Sequence, residues 1–503
     1  MKCFWKCRKF IPLFFLLAVF LLTGCSAEKP SENQKSPEKV PQESSSSDIT
    51  TDNLSSDKIT QALPQKDSDT SLGKGEKDKR LEEKVVEKVD VKHPFPQHVS
   101  YIKGTLKPGL SQEEMDRTVG KFYKIWKDTY VTKNPYEDEA QYYVWYSGNK
   151  YTKAVPDKSV AVTVSEAHGY GMLTTVLMAG YDNETKEIFD GMYSYYKEHL
   201  SSIGPHLMAW QQSDNGSALI DGAQNGSMAD SDSDSATDGD LDIAYALLLA
   251  DKQWGSDKGI DYKQAALDII TDIMKYEVDQ KDWTLQLGDW ASLSPSDSDY
   301  YTGTRSSDFL LGHLKVFYKV TKKKEWKQVT DKTYGIMEQI FTKYSSHTGL
   351  LPDFIIKNKK GKYEPAYKNF LESENDGNCG YNACRDPWRI GTDYLVTGDK
   401  REKELLIKLN QWIREAAENN PDKIMAGYTL KGEPTGSYSD LCFTVPYLVA
   451  AMCQDKNTPG AQEWLDSLWS KCSVLNRECY YNDSIKMLCL LVASGNWWTP
   501  LIF

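Results

Sequence analysis

Beyond residue 100, apolar side chains return at intervals of three and four along most of the chain. The period is plain in "YKQAALDIITDIMKYEV", "SSDFLLGHLKVFYKVT", "WKQVTDKTYGIMEQIFTKY" and "KELLIKLNQWIREAAEN", and it recurs in "ALLLADKQWG", "FTVPYLVAAMCQ", "GAQEWLDSLWSKC" and "DSIKMLCLLVASG". That spacing predicts helices. With "SQEEMDRTVGKFYKIWKDTY", "EAHGYGMLTTVLMAG", "ETKEIFDGMYSYYKEHL" and one helix after Pro387, the number comes to about a dozen. Ser165, Ser306 and Asn482 are the expected N-caps of three of them. Strand alternation is nearly absent, so the class is all-α. An even number of medium helices suits helical hairpins set in a ring, although periodicity alone does not separate a closed ring from an open solenoid.

The loops between these segments are long and carry chemistry. "HLMAWQQSDNGSALIDGAQNGSMADSDSDSATDGD", "LGDWASLSPSDSDYYTGTR" and "NFLESENDGNCGYNACRDPWR" all mix Trp or Tyr with Asp or Glu. Loops of this length inside a compact domain are usually functional. Aromatic faces beside carboxylates suit a sugar polymer, whose C–H faces stack on rings and whose hydroxyls need acceptors.

The N-terminus changes the picture of where the chain goes. Residues 1–25, "MKCFWKCRKFIPLFFLLAVFLLTGC", read as an export signal, with a basic start, a short apolar run and a small-residue end. Its "LTGC" resembles the lipobox of bacterial lipoproteins, which implies cleavage before Cys25 and a lipid on that sulfur. The expectation is a chain tethered to the extracellular side of the cell membrane. Residues 26–100 are rich in Ser, Lys, Glu, Asp, Gln and Pro and poor in aromatics, the composition of a disordered tether. A short helix over "KDKRLEEKVVEKV" is the alternative there. Residues 101–503 form the expected folded domain, taken as a monomer.

Charge and cysteines narrow the partners. The formal net charge of −12 falls almost wholly beyond residue 100, which excludes nucleic acid and tolerates a neutral or cationic polymer. Seven cysteines follow Cys25, all in the last quarter and none at a CxxC spacing. An odd number leaves at least one unpaired, and Cys379 with Cys384 is the pair most worth testing as a disulfide.

Several acids compete for the chemistry. Glu166 in "SEAHGYGM" lies in the first turn of an apolar helix, where an acid is often only a dipole partner. The six aspartates between Asp230 and Asp242 do not fit a calcium loop, because Ser235 and Leu241 stand where its glycine and glutamate belong. Asp230, Asp232 and Asp234 suit a solvated loop, whereas Asp238 and Asp240 enter a helix whose next turns are buried, a costlier place for charge. His168 reads as a satisfied interior histidine. Trp254, Trp326, Trp412 and Trp464 lie on helical patterns and read as core.

"ATDGDLDIAYALLLADKQW" resembles the signature segment of glycoside hydrolase family 8, "SEAHGYGM" that family's acid-bearing segment, and "CRDPWRIGTDYL" its late helix. "LGDWAS", "TRSSDF" and "NFLES" are similar to its bacterial chitosanase and mixed-linkage glucanase members. The resemblance implies an (α/α)6 barrel and hydrolysis of β-1,4 bonds with inversion, with no metal or organic cofactor. It implies Glu166 as general acid and Asp238 as the residue that grips the sugar at the scissile position. Where many members carry an aspartate base, this chain has Asn382 in "YNACR", and an amide cannot accept a proton at neutral pH. Members that resemble the chain in this respect take the base from the preceding loop, which implies Glu372.

The neighbouring residues agree. Phe370 and Leu371 can bury and fix the loop, while Glu374 and Asp376 lie in a polar turn and are expected in solvent. Asp386 ranks third and reads more simply as a cap. Trp210, Trp290 and Tyr381 are the expected sugar stackers and Arg385 the polar clamp on substrate. Inversion needs the two carboxyls roughly 6.5–9.5 Å apart, with the acid's pKa raised and the base ionised. The competing reading is a sugar-capturing lipoprotein without catalysis.

Overall fold

Twelve helices of eleven residues or more alternate between two environments in a computed structural model describing residues 90–146, 161–222 and 233–501. The first of each pair in chain order is amphipathic: α1 (Gln112–Tyr130), α3 (Thr185–Glu198), α5 (Tyr262–Tyr276), then α8 (Glu325–Lys343), α10 (Lys400–Ala416) and α12 (Ala461–Cys472). Each buries one stripe and leaves charged residues outside, as α10 does with Leu405, Leu406, Leu409, Trp412 and Ile413 inward. The second set is α2 (Ser165–Leu177), α4 (Thr237–Trp254), α7 (Leu311–Thr321), α9 (Asp386–Thr397), α11 (Leu441–Met452) and α13 (Tyr480–Ala493). Five of these are buried almost all round, α11 along its entire length, while α7 buries Leu311, His313, Leu314, Val316 and Phe317 and leaves Tyr318 exposed. A single extra turn, α6 (Asp299–Thr302), lies in a loop.

The buried helices touch in the order α2, α4, α7, α9, α11, α13 and back to α2, and each is backed by one amphipathic helix. The result is two concentric rings of six, the (α/α)6 barrel. The ring closes because a helix apolar on every side has to be covered on every side.

Several local expectations need correction. The strands missing from the periodicity exist as short pieces, in two three-stranded sheets, Ala161–Val164 with Gln211–Asp214 and Leu219–Asp221, and Thr304–Arg305 with Phe354–Lys357 and Tyr363–Pro365, and in two strand pairs, Val131–Lys133 with Tyr142–Val144 and Val278–Asp279 with Thr284–Leu285. Pieces of two to four residues are too short for alternation to show in a sequence. Ser165 is the first residue of α2 rather than its cap, Ser306 opens a single 3-10 turn before α7, and Asn482 lies inside the first turn of α13. Asn482 spends its amide on Asp440 and Glu478 instead.

Residues 90–100, assigned to the tether by composition, pack onto the barrel. The main-chain N–H of Phe95 donates to the carbonyl of Ala179 at 2.7 Å, and the His93 ring stacks on Trp498. Cys379 and Cys384 are not bonded to each other; both are buried free thiols, and the Cys384 thiol points at the Tyr381 carbonyl. Cys25, the signal, the remainder of the tether, Asp230 and Asp232 lie outside the described residues. His168 is fully buried with Nε2 on the Met192 carbonyl, and burial pushes its pKa down to about 4. Trp326, Trp412 and Trp464 are buried as expected, and Trp254 is half-buried against Phe189.

Candidate active site

Side chains at the start of each inner helix meet at one end of the barrel. Glu166 comes from the first turn of α2, Asp238 from the first turn of α4, Ser307 from just before α7, Arg385 from the residue before α9, and Tyr480 from the start of α13. Helix N-termini present unpaired N–H groups and the positive end of the helix dipole, so their convergence favours carboxylates here. Asp440 at the N-cap of α11 completes the ring, bonded to Asn482 at 2.6 Å and to the Tyr381 hydroxyl at 3.0 Å.

Arg385 is the hub, with a side chain only 2% exposed. Its Nη1 donates to Glu166 Oε2 at 2.5 Å, to Asp238 Oδ2 at 2.9 Å and to the Tyr170 hydroxyl at 3.2 Å. Its Nη2 donates to Ser307 Oγ at 2.8 Å and to Asn382 Oδ1 at 3.0 Å, and its Nε to the Asn382 carbonyl at 3.2 Å. A guanidinium has five N–H donors, and protein takes all of them. The expected clamp on substrate is thus an internal organiser of the acids.

The two acids sharing that arginine have opposite environments. Burial raises the pKa of Glu166; Arg385 and a 2.8 Å hydrogen bond from the Tyr480 hydroxyl to Oε1 oppose this, Asp238 reinforces it, and the outcome is upward. Burial also works against the charge on Asp238, but Arg305 (3.5 Å) and Arg385 outweigh it, and its pKa falls. Two neighbouring carboxyls pushed in opposite directions are how a site keeps one protonated and one ionised. The balance favours the protonated form of Glu166 and the ionised form of Asp238, whose charge Arg385 balances.

Glu372 reaches this cluster through Asn382. The Asn382 amide nitrogen donates to Glu372 Oε2 at 2.8 Å while its oxygen accepts from Arg385. Three hydrogen bonds therefore lead from Glu166 to Glu372 by way of Arg385 and Asn382. Tyr146 reports the same closeness: its hydroxyl is pushed up by burial first, then by the charges of both Glu166 and Glu372. Burial raises the pKa of Glu372 too, with Arg305 and the Asn382 amide opposing.

The remaining expectations divide. Glu374 is exposed and paired with Lys368, as foreseen. Asp376, expected in solvent, is 1% exposed, because its carboxylate is consumed by main-chain N–H groups of its own loop. Asp386 opens α9 fully within the protein, and burial pushes its carboxyl far up. Trp210 is half-buried, and its carbonyl accepts from the N–H of Ser165 at 2.8 Å, immediately before Glu166. Trp290 sits in a 3-10 turn edge-on to Tyr300, which stacks on Phe370, two residues before Glu372. Tyr381 is half-buried, with its hydroxyl held by Asp440 and Tyr438. Arg305, Tyr480, Ser307 and Tyr146 escaped the sequence reading. Arg305 and Ser307 alone had a signal, their place in "TRSSDF".

Comparison with known proteins agrees with this geometry. The family model described as glycosyl hydrolases family 8 matches residues 114–495. A β-glucanase of Niallia circulans is 46% identical over 407 residues, covering 81% of this chain and 91% of that protein. An endoglucanase of Bacillus sp. strain KSM-330 is 39% identical over 412 residues, covering 81% and 82% respectively. Among solved structures, a β-1,3-1,4-glucanase from Paenibacillus sp. X4 superposes with a TM-score of 0.72 at 46% identity, over 81% of this chain and 99% of that one. With a dozen helices in two rings and an acid cluster at one end, this chain belongs to glycoside hydrolase family 8.

Proposed function

We propose that the protein is an inverting endo-β-glucanase that cleaves β-1,4 bonds in mixed-linkage glucan, with Glu166 as general acid and Glu372 as general base. The observation that carries the reading is the bridge through Arg385 and Asn382, which ties two half-buried carboxyls, remote from each other in sequence, into one cluster. Glu166 gives its proton to the leaving glycosidic oxygen. Glu372, ionised, takes a proton from the water that attacks the anomeric carbon from the other face of the ring. Asp238, ionised between two arginines, grips the sugar at the scissile position.

Mixed-linkage glucan is favoured over chitosan by the names of the similar proteins, a β-glucanase and a β-1,3-1,4-glucanase. Trp290 and Tyr300, partly exposed and backed by the buried Phe370 close to the base, suit flat, uncharged sugar faces. Trp210, Trp290 and Tyr381 are the stackers. The intact acid pair favours catalysis over the non-catalytic sugar-capturing alternative. The N-terminal lipobox supports a lipid anchor at Cys25 on the extracellular side of the membrane, and the domain acts as a monomer on its polymer.

Reducing-sugar release from mixed-linkage glucan, chitosan, carboxymethyl cellulose and xylan, measured side by side, tests the substrate. The mixed-linkage polymer should lead, and a lead by chitosan would replace it. Glu372→Gln should lower kcat about 100- to 10,000-fold with little change in KM, the usual worth of a general base. Unchanged turnover would remove Glu372 from the mechanism.

A further inference from the structure

Glu372 stands on a segment without regular structure, between the strand Tyr363–Pro365 and the 3-10 turn Ala383–Arg385. A base on a loop works only if its carboxylate is held to within about half an ångström. Side-chain bonding alone does not achieve this, since the Asn382 amide fixes one oxygen and leaves the backbone beneath free to shift.

Asp376 supplies the missing restraint. Its Oδ2 accepts from the main-chain N–H of Leu371 at 2.7 Å and of Glu372 at 3.0 Å. Its Oδ1 accepts from the N–H of Ser373 at 2.7 Å and from the Ser373 hydroxyl at 3.2 Å. Three successive peptide N–H groups, centred on the proposed base, thus converge on one carboxylate. The anchor is itself fastened to the sheet, because the N–H of Phe354 donates to the Asp376 carbonyl at 2.9 Å. Phe370, on the other side, is buried among Phe354, Tyr300 and Tyr367. Asp353 treats the loop of Asn382 in the same way, accepting from the N–H groups of Gly380, Asn382 and Ala383. The base and its amide partner are each carried by a backbone wrapped on a buried acid.

No cation pairs with Asp376 among the described residues, so its charge is held only by these hydrogen bonds. A buried carboxylate without a counter-ion is costly, yet bonds from N–H groups to an ionised acceptor are the strong and directional kind. We propose that Asp376 is a positioning residue for Glu372: it fixes the main chain under the base so that the Glu372 carboxylate meets Asn382 and the attacking water. The proposal rests on reading Glu372 as the base.

Azide separates positioning of the base from other defects. It attacks the anomeric carbon as an anion with no proton to lose, so the C–N bond forms and the glycosidic C–O bond breaks while the leaving oxygen takes the proton of Glu166. No base is needed. The full chain is assayed on soluble mixed-linkage glucan with and without azide as wild type, Glu372→Ala, Asp376→Asn and Asp376→Glu. In Asp376→Asn an NH2 replaces one acceptor and faces main-chain N–H donors, while Asp376→Glu keeps the charge but displaces it by a methylene. Both should lose about 100-fold in kcat with KM little changed, the scale of a misplacement of roughly 1 Å. Azide should restore turnover in both, yielding the glycosyl azide of inverted configuration, as in Glu372→Ala. The ratio of glycosyl azide to free sugar from one preparation is independent of how much of it is folded, so it should rise above wild type even where yield is low. Wild-type kcat in both Asp376 variants, or a wild-type product ratio in them while Glu372→Ala gains from azide, overturns the proposal. A Glu372→Ala variant with undiminished turnover overturns the base assignment instead.

Discussion

At Asn382 the side-chain oxygen accepts from Arg385 and the nitrogen donates to Glu372, so the amide has both polarities the position demands. An aspartate there would set a second carboxylate 2.8 Å from the first, and two such groups cannot both ionise. Asn382→Asp should therefore raise the pKa of Glu372 and move the acid limb of the kcat/KM profile to higher pH. Tyr480 gives the complementary test on the acid. Its hydrogen bond to Glu166 opposes protonation, so Tyr480→Phe should let Glu166 keep its proton longer and move the alkaline limb to higher pH. Asp238→Asn should move that limb down, since the Asp238 charge helps keep Glu166 protonated. The motifs alone singled out Glu166, Asp238 and Glu372, which the fold links through Arg385 and Asn382. Residue identity misjudged Asp376 and Arg385, because polarity says that a side chain wants partners but not whether water or the protein supplies them.

The inner helices explain how acids from distant segments come together. All six open at the same end, and the capping and first-turn positions where sequences commonly place Asp, Glu and Ser become one wall of a site. The same crowding leaves acids that take no part in the proposed catalysis. Asp240, two residues after Asp238, accepts from the N–H of Met208, while Glu277 accepts from Ser235 Oγ, and Asp289 accepts from Ser201 and from the N–H of Ser235. No cation pairs with these three among the described residues. Burial first, and then mutual repulsion, raises the pKa of Asp240 and Glu277 far above ordinary values. An acid whose folded pKa lies above its unfolded one costs stability as pH rises from the unfolded value toward the folded one. Glu277→Gln keeps the oxygen that Ser235 uses and removes the ionisable proton. It should stabilise the protein by on the order of 1 kcal/mol at pH 8 and by little near pH 4, as thermal melts at the two pH values would reveal. Element type and number were readable because the 3.6-residue period persists over three or more turns. Helix starts were less so, as Ser165, Ser306 and Asn482 show; Asn482, for one, spends its amide on the tertiary partners Asp440 and Glu478.

On the scale of the whole molecule, the barrel follows an N-terminal stretch whose sequence reads as an export signal and a polar tether. All the candidate site residues lie between Tyr146 and Tyr480, and the packed chain begins by Asp90. A chain starting at Val89 should hydrolyse soluble β-glucan with kcat/KM within about twofold of the full length, measured on the two proteins side by side. Composition and periodicity indicated an acidic, helical domain of some 400 residues behind a polar N-terminal stretch, since these depend on what each segment is and hardly on its neighbours. The motifs named the acids. Closure of the ring, the short sheets, the capture of residues 90–100, the burial of Asp376 and the chain of contacts from Glu166 through Arg385 and Asn382 to Glu372 came only with folding. Apart from the Asp376 carboxylate, which bonds its own loop, each of these is a meeting of groups remote in sequence, and a one-dimensional pattern carries no distances between its parts.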